Sequence, residues 1–314
     1  MKAIALTEFG DPEVLSLQDL PGPLVGPDHV LVEVRAAAVN PVDSKIRAGY
    51  LQGAFPHHTP LVPGWDVSGI VRETGTAVPE WKPGDEVIGY VRKDHVQHGT
   101  YAELVSAPVR TLARKPSTVD FATAAGLPLA GLTALQALRA AKVGEGDTVL
   151  VHAAAGGVGH LAVQIARVLG ASRVIGTASE RNHDFLRSLG AEPVRYGDAL
   201  VDSVAEVLGD DSHVDAVVDF VGGPALDYSL RLVHEPGRIV SVVDGRRAID
   251  FGGQHVFVRP DAEQLGWLAD LVDDGELHVE VQKTFPLEQA VDAHRLLEGG
   301  HVRGKVVLTV GDLA

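Results

Sequence analysis

The chain has 314 residues, 45% of them apolar and 22% charged, with a formal net charge of −15. That length accommodates two domains with buried cores, and an acidic balance without any basic cluster excludes nucleic acid and acidic membrane surfaces as partners. Cysteine is absent, which removes disulfides, thiolate nucleophiles and every cysteine-based zinc site, and fits a cytoplasmic setting.

The opening "MKAIALTEFGDPEVL" places Glu8, Asp11 and Glu13 where a secretory peptide needs an apolar core, so no export signal is expected. Short strands separated by Gly and Pro then fill the first third: "KAIALTEF", "HVLVEVRAAAV", "VSGIVRETG", "DEVIGYVR" and "TYAELVSA". Val42 to Ala48 is the one helical stretch among them. From Ser117 or Thr118, a plausible N-cap, the chain turns Ala/Leu-rich and helical, interrupted by Gly126 and Pro128.

From residue 148 strands and helices alternate, the signature of an α/β layer fold. "TVLVHA", "RVIGTAS", "EPVRYG", "VDAVVDFVG" and "GRIVSVV" are continuous apolar runs suited to a parallel sheet buried on both faces. The stretch Thr148 to Ala166 is uncharged and nearly of transmembrane length. Its Gly156, Gly157 and Gly159, with His152 and His160, read instead as strand, turn and helix. The helix carries apolar residues at Val158, Leu161, Ala162, Ile165, Ala166 and Leu169, the 3.6-residue period, and Gly170 is placed to end it. "HVFV", from His255 to Val258, reads as an edge strand. Helices over Asp261 to Asp274 and Leu287 to Glu298, a strand near His278 to Thr284 and the final strand "KVVLTV" depart from the alternation. This tail is expected to return to the N-terminal domain.

The turn Ala154-x-Gly156-x-x-Gly159 follows a strand and opens a helix, the context in which glycines admit a pyrophosphate to backbone N–H groups. The second strand ends in Ala178 and Ser179, with Arg181 just beyond and no carboxylate to hold a ribose 2′-hydroxyl. A guanidinium there favours a 2′-phosphate, and hence NADPH. Glu180 complicates this, since it could pair with Arg181, bind a ribose itself, or simply be solvated at a helix start.

The segments "VHAAAGGVGHLAVQIARVLGA", "AAAVNPVDSKIRAG", "PLVPGWDVSGIV", "GTYAEL", "GLTALQAL" and the closing "RGKVVL" resemble the zinc-independent quinone oxidoreductase branch of the medium-chain dehydrogenase/reductases, over nearly the whole chain. The resemblance implies an α/β protein: a GroES-like, β-rich catalytic domain from residues 1–117 and 261–314, and a Rossmann doubly wound parallel-sheet domain over 118–260. It implies a cofactor cleft between them. Ala155, Gly156, Gly157, Val158 and Gly159 would face the pyrophosphate, Ser179, Arg181 and Tyr196 the adenosine 2′-phosphate, Thr133 the nicotinamide end, and Val242 or Val243 the carboxamide. Arg303 and Lys305 would approach the cofactor from the final strand. Thr133 could equally be helical filler, Tyr196 a packed strand residue, and Lys305 a solvated charge.

Zinc-dependent relatives carry Cys where this chain has Asn40, and His-Glu where it has Trp65-Asp66. The histidine pairs His57-His58 and His95-x-x-His98 lack a third ligand, so no metal is expected. Without a Lewis acid to help an alcohol lose its proton, the natural hydride acceptor is a quinone or an α,β-unsaturated carbonyl, in which incoming charge delocalises onto oxygen. Asn40 could hold a carbonyl or the nicotinamide ribose. Lys45, aided by Tyr50, is the expected hydrogen-bond donor or proton source, against the alternative of a surface lysine beside Asp43 or Arg47. Asp43 is expected to orient its helix, and Trp65 is either a core aromatic or a wall for planar substrates. Two other functions stay open: an enoyl reductase of polyketide type acting on carrier-bound thioesters, and a non-catalytic NADPH-binding protein. A homodimer paired through the edge strand at His255 to Val258 would bury an apolar edge.

Overall fold

The computed structural model describes residues 1–209 and 213–311. Positions 210–212, within the expected Rossmann segment, and 312–314, at the end of the expected returning segment, lie outside the described residues. The chain divides into two compact units: Met1–Leu129 with Pro260–Gly275 and Val279–Ala314, and Ala130–Arg259 with Glu276–His278. Among the described residues no helix is long and apolar enough to cross a membrane.

The first unit is built on a seven-stranded sheet around the strand His29–Val39. Along this strand Val30, Val32 and Val34 are buried while His29, Leu31, Glu33 and Arg35 are partly exposed, the two-residue period of a strand covered on one face. From Ala36 the alternation stops and every residue is buried. Ala36 and Ala38 cluster with Ala122, Ala125 and Val307. Methyl-sized side chains let the helix Phe121–Ala125 lie directly on the sheet. That packing is why this helix falls in the first unit, whose division at Leu129 lies beyond the 117/118 boundary read from the sequence.

Strand register then delivers polar groups to one end of the sheet. The final strand Lys305–Thr309 runs antiparallel to His29–Val39 with Val306 opposite Val39, so Lys305 comes beside Asn40. On the other side Asp66–Thr74 pairs with Ser68 opposite Ala36, which brings Asp66 to the same end.

The second unit is a six-stranded parallel sheet in the order Glu192–Arg195, Arg173–Ala178, Thr148–Val151, Ala216–Asp219, Ile239–Ser241, Gln254–His255. Numbered along the chain this is 3-2-1-4-5-6, the doubly wound arrangement whose ligands bind at the carboxyl ends of the strands. Leu150, Ile175, Val194, Val217 and Ile239 form its core with Leu200, Val204, Leu226 and Leu232. The edge strand is shorter and begins one residue earlier than "HVFV" suggested. Only Gln254 and His255 pair, opposite Val240 and Ser241, because the partner strand itself ends at Ser241.

Candidate active site

The glycine turn connects the strand Thr148–Val151 to the helix Gly159–Val168. A Cβ on Gly159 would lie 2.2 Å from the Ala153 carbonyl oxygen and 2.7 Å from the Ala154 Cα, so only glycine permits this closeness of turn and helix. Ala153 itself takes a left-handed φ of 52°. Its N–H donates to Thr177 Oγ1 at 3.1 Å, and the Ala154 N–H to the Thr177 carbonyl at 3.0 Å. Beneath the turn, Ser229 Oγ donates to the Ala225 carbonyl at 2.8 Å, so His152 Nε2 must donate to Ser229 Oγ, also at 2.8 Å. Nδ1 is then free to accept from Thr177 Oγ1 at 3.4 Å. This fixes His152 as a neutral Nε2–H imidazole, and burial pushes its pKa down to about 4. The motif histidine therefore holds the turn in shape.

At the carboxyl ends of the neighbouring strands, Ala178 lies opposite Arg195. Ser179 leaves the strand in extended conformation, Arg181 is exposed in the short helix Glu180–Asn182, and Tyr196 is 56% exposed. Glu180 pairs with Arg195 at 3.2 Å across the two strands. The carboxylate that complicated the sequence reading thus has a basic partner of its own, and Arg195, which the sequence reading missed, joins Ser179, Arg181 and Tyr196 at this edge. Its signal was its place, immediately before Tyr196 at a strand end.

Farther along the same edge, Asp219 accepts from the Gly222 N–H at 2.9 Å and from Ser241 Oγ at 2.6 Å. Val242 and Val243 follow, the second 45% exposed. Their N–H groups are engaged by the Asp219 carbonyl at 3.2 Å and by Ser241 Oγ at 3.2 Å. Thr133 is buried within the helix Pro128–Ala140.

In the first unit the end of the sheet forms a closed polar network. Asn40 is the N-cap of the helix Pro41–Arg47 and forms a capping box with Asp43, whose Oδ2 accepts from the Asn40 N–H at 2.8 Å and from Tyr101 Oη at 3.1 Å. Asp43 thus caps the start of this helix. The Asn40 side chain donates to Asp66 Oδ2 at 2.9 Å and accepts from Lys305 Nζ at 2.5 Å. Asp66 also accepts from the Leu129 N–H at 2.7 Å and lies 3.8 Å from Lys305 Nζ.

All these side chains are buried. Burial pushes Asp66 up to about 6 against the attraction of Lys305 and the hydrogen bonds from Asn40 and Leu129. It pushes Asp43 up to about 7, with the charge of Asp66 adding to the shift. Burial likewise draws Lys305 below the ordinary lysine range, opposed by the two carboxylates.

The structure groups Asn40 with Lys305 and Asp66. Lys45 and Tyr50 are instead exposed, on the outward face of the helix and just past its end. Arg303 is at the surface, paired with Glu280 at 2.9 Å. Trp65 is buried, with its ring 6.0 Å from Phe55 and 5.9 Å from Tyr90, a member of an aromatic core. Among the described residues no three His, Cys, Asp or Glu converge as metal ligands.

Residues 26–117 match the model of the alcohol dehydrogenase GroES-like domain, and residues 169–308 that of a zinc-binding dehydrogenase. The chain is 36% identical to an NADPH-dependent alkenal/one oxidoreductase of Arabidopsis thaliana, over 98% of this chain and 79% of the relative. It is 33% identical to a quinone oxidoreductase of Mus musculus, over 98% and 97% respectively. The structure of a quinone oxidoreductase from Coxiella burnetii superposes with a TM-score of 0.87 at 40% identity, over 99% of each chain.

Proposed function

The chain belongs to the medium-chain dehydrogenase/reductase superfamily, among its quinone and alkenal/one oxidoreductases, and on that premise we propose that it reduces quinones or α,β-unsaturated carbonyls at the expense of NADPH. The observation that carries this reading is the Asn40–Lys305–Asp66 network. Where zinc-dependent relatives would need thiolate and imidazole, this chain has an amide, an ammonium and a carboxylate that satisfy one another. A substrate must then bring its own electron sink, which a conjugated carbonyl does.

NADPH supplies the hydride when bound. The residues fit it: the close approach at Gly159 leaves the turn from Ala155 to Gly159 as backbone at a helix start, suited to a pyrophosphate. Ser179, Arg181 and Tyr196, joined by Arg195, suit a 2′-phosphate. Val242 and Val243, their N–H groups engaged, offer carbonyls to a carboxamide. Thr133 and Arg303 complete the proposed set. Asn40 is better suited to holding Lys305 than to binding substrate, because its amide already serves three partners, the Ala38 carbonyl, Asp66 and Lys305. Lys45, with Tyr50, is the donor proposed for the substrate oxygen.

The test is an NADPH-consumption screen over quinones, 2-alkenals, cyclic enones and enoyl thioesters, with simple alcohols and NADP⁺ as the opposing arm. Turnover of quinones or enones is the expected result. Efficient alcohol oxidation with no activity on activated alkenes or quinones overturns the proposal. In the same assay Lys45→Ala should lower turnover by about 10²–10³ if the donor acts mainly in the transition state, with NADPH affinity retained. A loss of NADPH affinity at unchanged turnover would make Lys45 a cofactor anchor.

Arg181→Ala should weaken NADPH by about ten- to hundred-fold, the worth of a charge-assisted hydrogen bond. NADH should change little, because it lacks the phosphate. Fluorescence titration of both cofactors checks this, and equal losses would show that Arg181 does not read the phosphate.

Two-fold pairing through the sheet edge at Gln254–His255, with the half-exposed Phe257 two residues on, is the proposed quaternary arrangement. Light scattering should give twice the chain mass, and Phe257→Lys should shift it toward the monomer. A wild-type monomer at every accessible concentration defeats the arrangement.

A further inference from the structure

We propose that the first unit carries a second ligand site, distinct from the polar network and the glycine turn, that binds a small amphipathic carboxylate. A cavity of about 330 Å³ lies among Leu20, Leu24, Pro60, Lys93, His95 and Ser106, and shares no residue with either of those regions. Its volume is in the range of ordinary ligand pockets. The apolar wall is open: Leu24 is 93% exposed, an unusual cost for a leucine that a ligand's hydrocarbon body would relieve.

The polar features of the cavity point to an anion. Lys93 is half-buried, and among the described residues its ammonium makes one hydrogen bond, to the His98 carbonyl at 2.9 Å, and no ion pair. Desolvation alone pushes it down to about 8. The nearby carboxylates Asp28 and Asp94 act on His29 and His95 instead. A cation partly withdrawn from water without a counter-charge favours an anionic ligand. Ser106 also lines the cavity, with its hydroxyl buried beneath the surface.

The Lys93 ammonium matches one carboxylate, while the Met1 ammonium on the same lining donates to the Leu20 carbonyl at 2.7 Å. His29, His95 and His98 add no charge near neutrality, since burial and the Lys93 ammonium hold all three below the ordinary histidine range. A monoanion therefore suits the site better than a phosphate dianion. At roughly 30 Å³ per water-sized group the cavity holds about ten heavy atoms, the size of octanoate.

Calorimetric titration of the NADPH-saturated protein tests the site with octanoate, octan-1-ol and inorganic phosphate. Octanoate should bind one per chain and octanol at least about ten-fold more weakly. Lys93→Met, which keeps the apolar stem, should weaken octanoate by roughly ten- to hundred-fold. Lys93→Arg should retain most of the affinity. Equal binding of octanoate and octanol to the wild-type protein overturns the proposal whatever the variants do. So does octanoate binding that Lys93→Met leaves unchanged, or displacement of octanoate by phosphate at comparable concentration.

Discussion

Asp66→Ala should destabilise the protein by about 3–5 kcal/mol, the cost of removing one partner from a buried ion pair. The carboxylate is fully buried and serves three donors: the Asn40 amide at 2.9 Å, the Leu129 N–H at 2.7 Å and, more distantly, the Lys305 ammonium at 3.8 Å. Truncation strands a buried cation and a backbone N–H together. Because domains are stable by only about 5–15 kcal/mol, the loss should be plain in the urea-unfolding midpoint. Asp66→Asn keeps an acceptor for Leu129 and should cost less. The double variant Asp66→Leu with Lys305→Met removes both charges and should recover much of the stability, because apolar pairs often replace buried ion pairs without loss. An Asp66→Ala midpoint near the wild-type value would mean that the network is structurally dispensable.

Gly159→Ala should weaken NADPH by about ten- to hundred-fold. The added Cβ would meet the Ala153 oxygen at 2.2 Å, and both the obstructing atoms nearest it belong to the backbone, so no side chain can swing aside. The turn itself must move, and losing a charge-assisted hydrogen bond to the pyrophosphate, worth about 1.5–3 kcal/mol, costs about ten- to hundred-fold in affinity. Overpacking adds roughly 1–3 kcal/mol of lost stability. Gly156→Ala, whose Cβ would stand 3.3 Å from the same oxygen and ask for a shift of tenths of an ångström, should lose far less stability, though its methyl too would face the pyrophosphate. Cofactor titration and thermal unfolding on both variants decide the matter. Normal NADPH binding by Gly159→Ala would show that the turn tolerates being pushed.

The second unit was legible because its code is local. Continuous Val and Ile runs, glycines after the first strand and 3.6-residue spacing each lie within about twenty residues of the next signal. The strands Ser16–Asp19, His57–Val62 and Leu112–Arg114 escaped notice because nothing local announces them. The second contains Pro60, and all three are strands because distant partners pair with them. The polar network escaped for the same reason. Asp66 could be read as a replaced metal ligand, but its service to Asn40, Leu129 and Lys305 depends on strand register set far along the chain. Lys45 drew attention through its place in the family's pattern, and its helix turns it to solvent. Arg195 was overlooked because its pairing with Glu180 crosses two strands.

The neutral imidazole beneath the glycine turn has a consequence for the proton inventory of folding. His152 and the buried His294 both titrate at about 4, well below an unfolded histidine at 6.5. Between those values the unfolded chain takes up protons that the native state refuses, so these two groups make stability fall as pH falls. Asp43 and Asp66 titrate at about 7 and about 6, above an unfolded aspartate at 3.8. There the native state holds the extra protons, and these groups make stability fall as pH rises. Each slope is at most about 1.4 kcal/mol per pH unit; the two kinds oppose one another, and His29, His95 and His98, also held below the ordinary histidine range, add to the first. Denaturation midpoints should accordingly climb only gently from about pH 4.5 to 6, and His152→Gln should make that climb shallower still. A wild-type midpoint that climbs steeply across this interval would mean that the acids do not hold their protons in the fold.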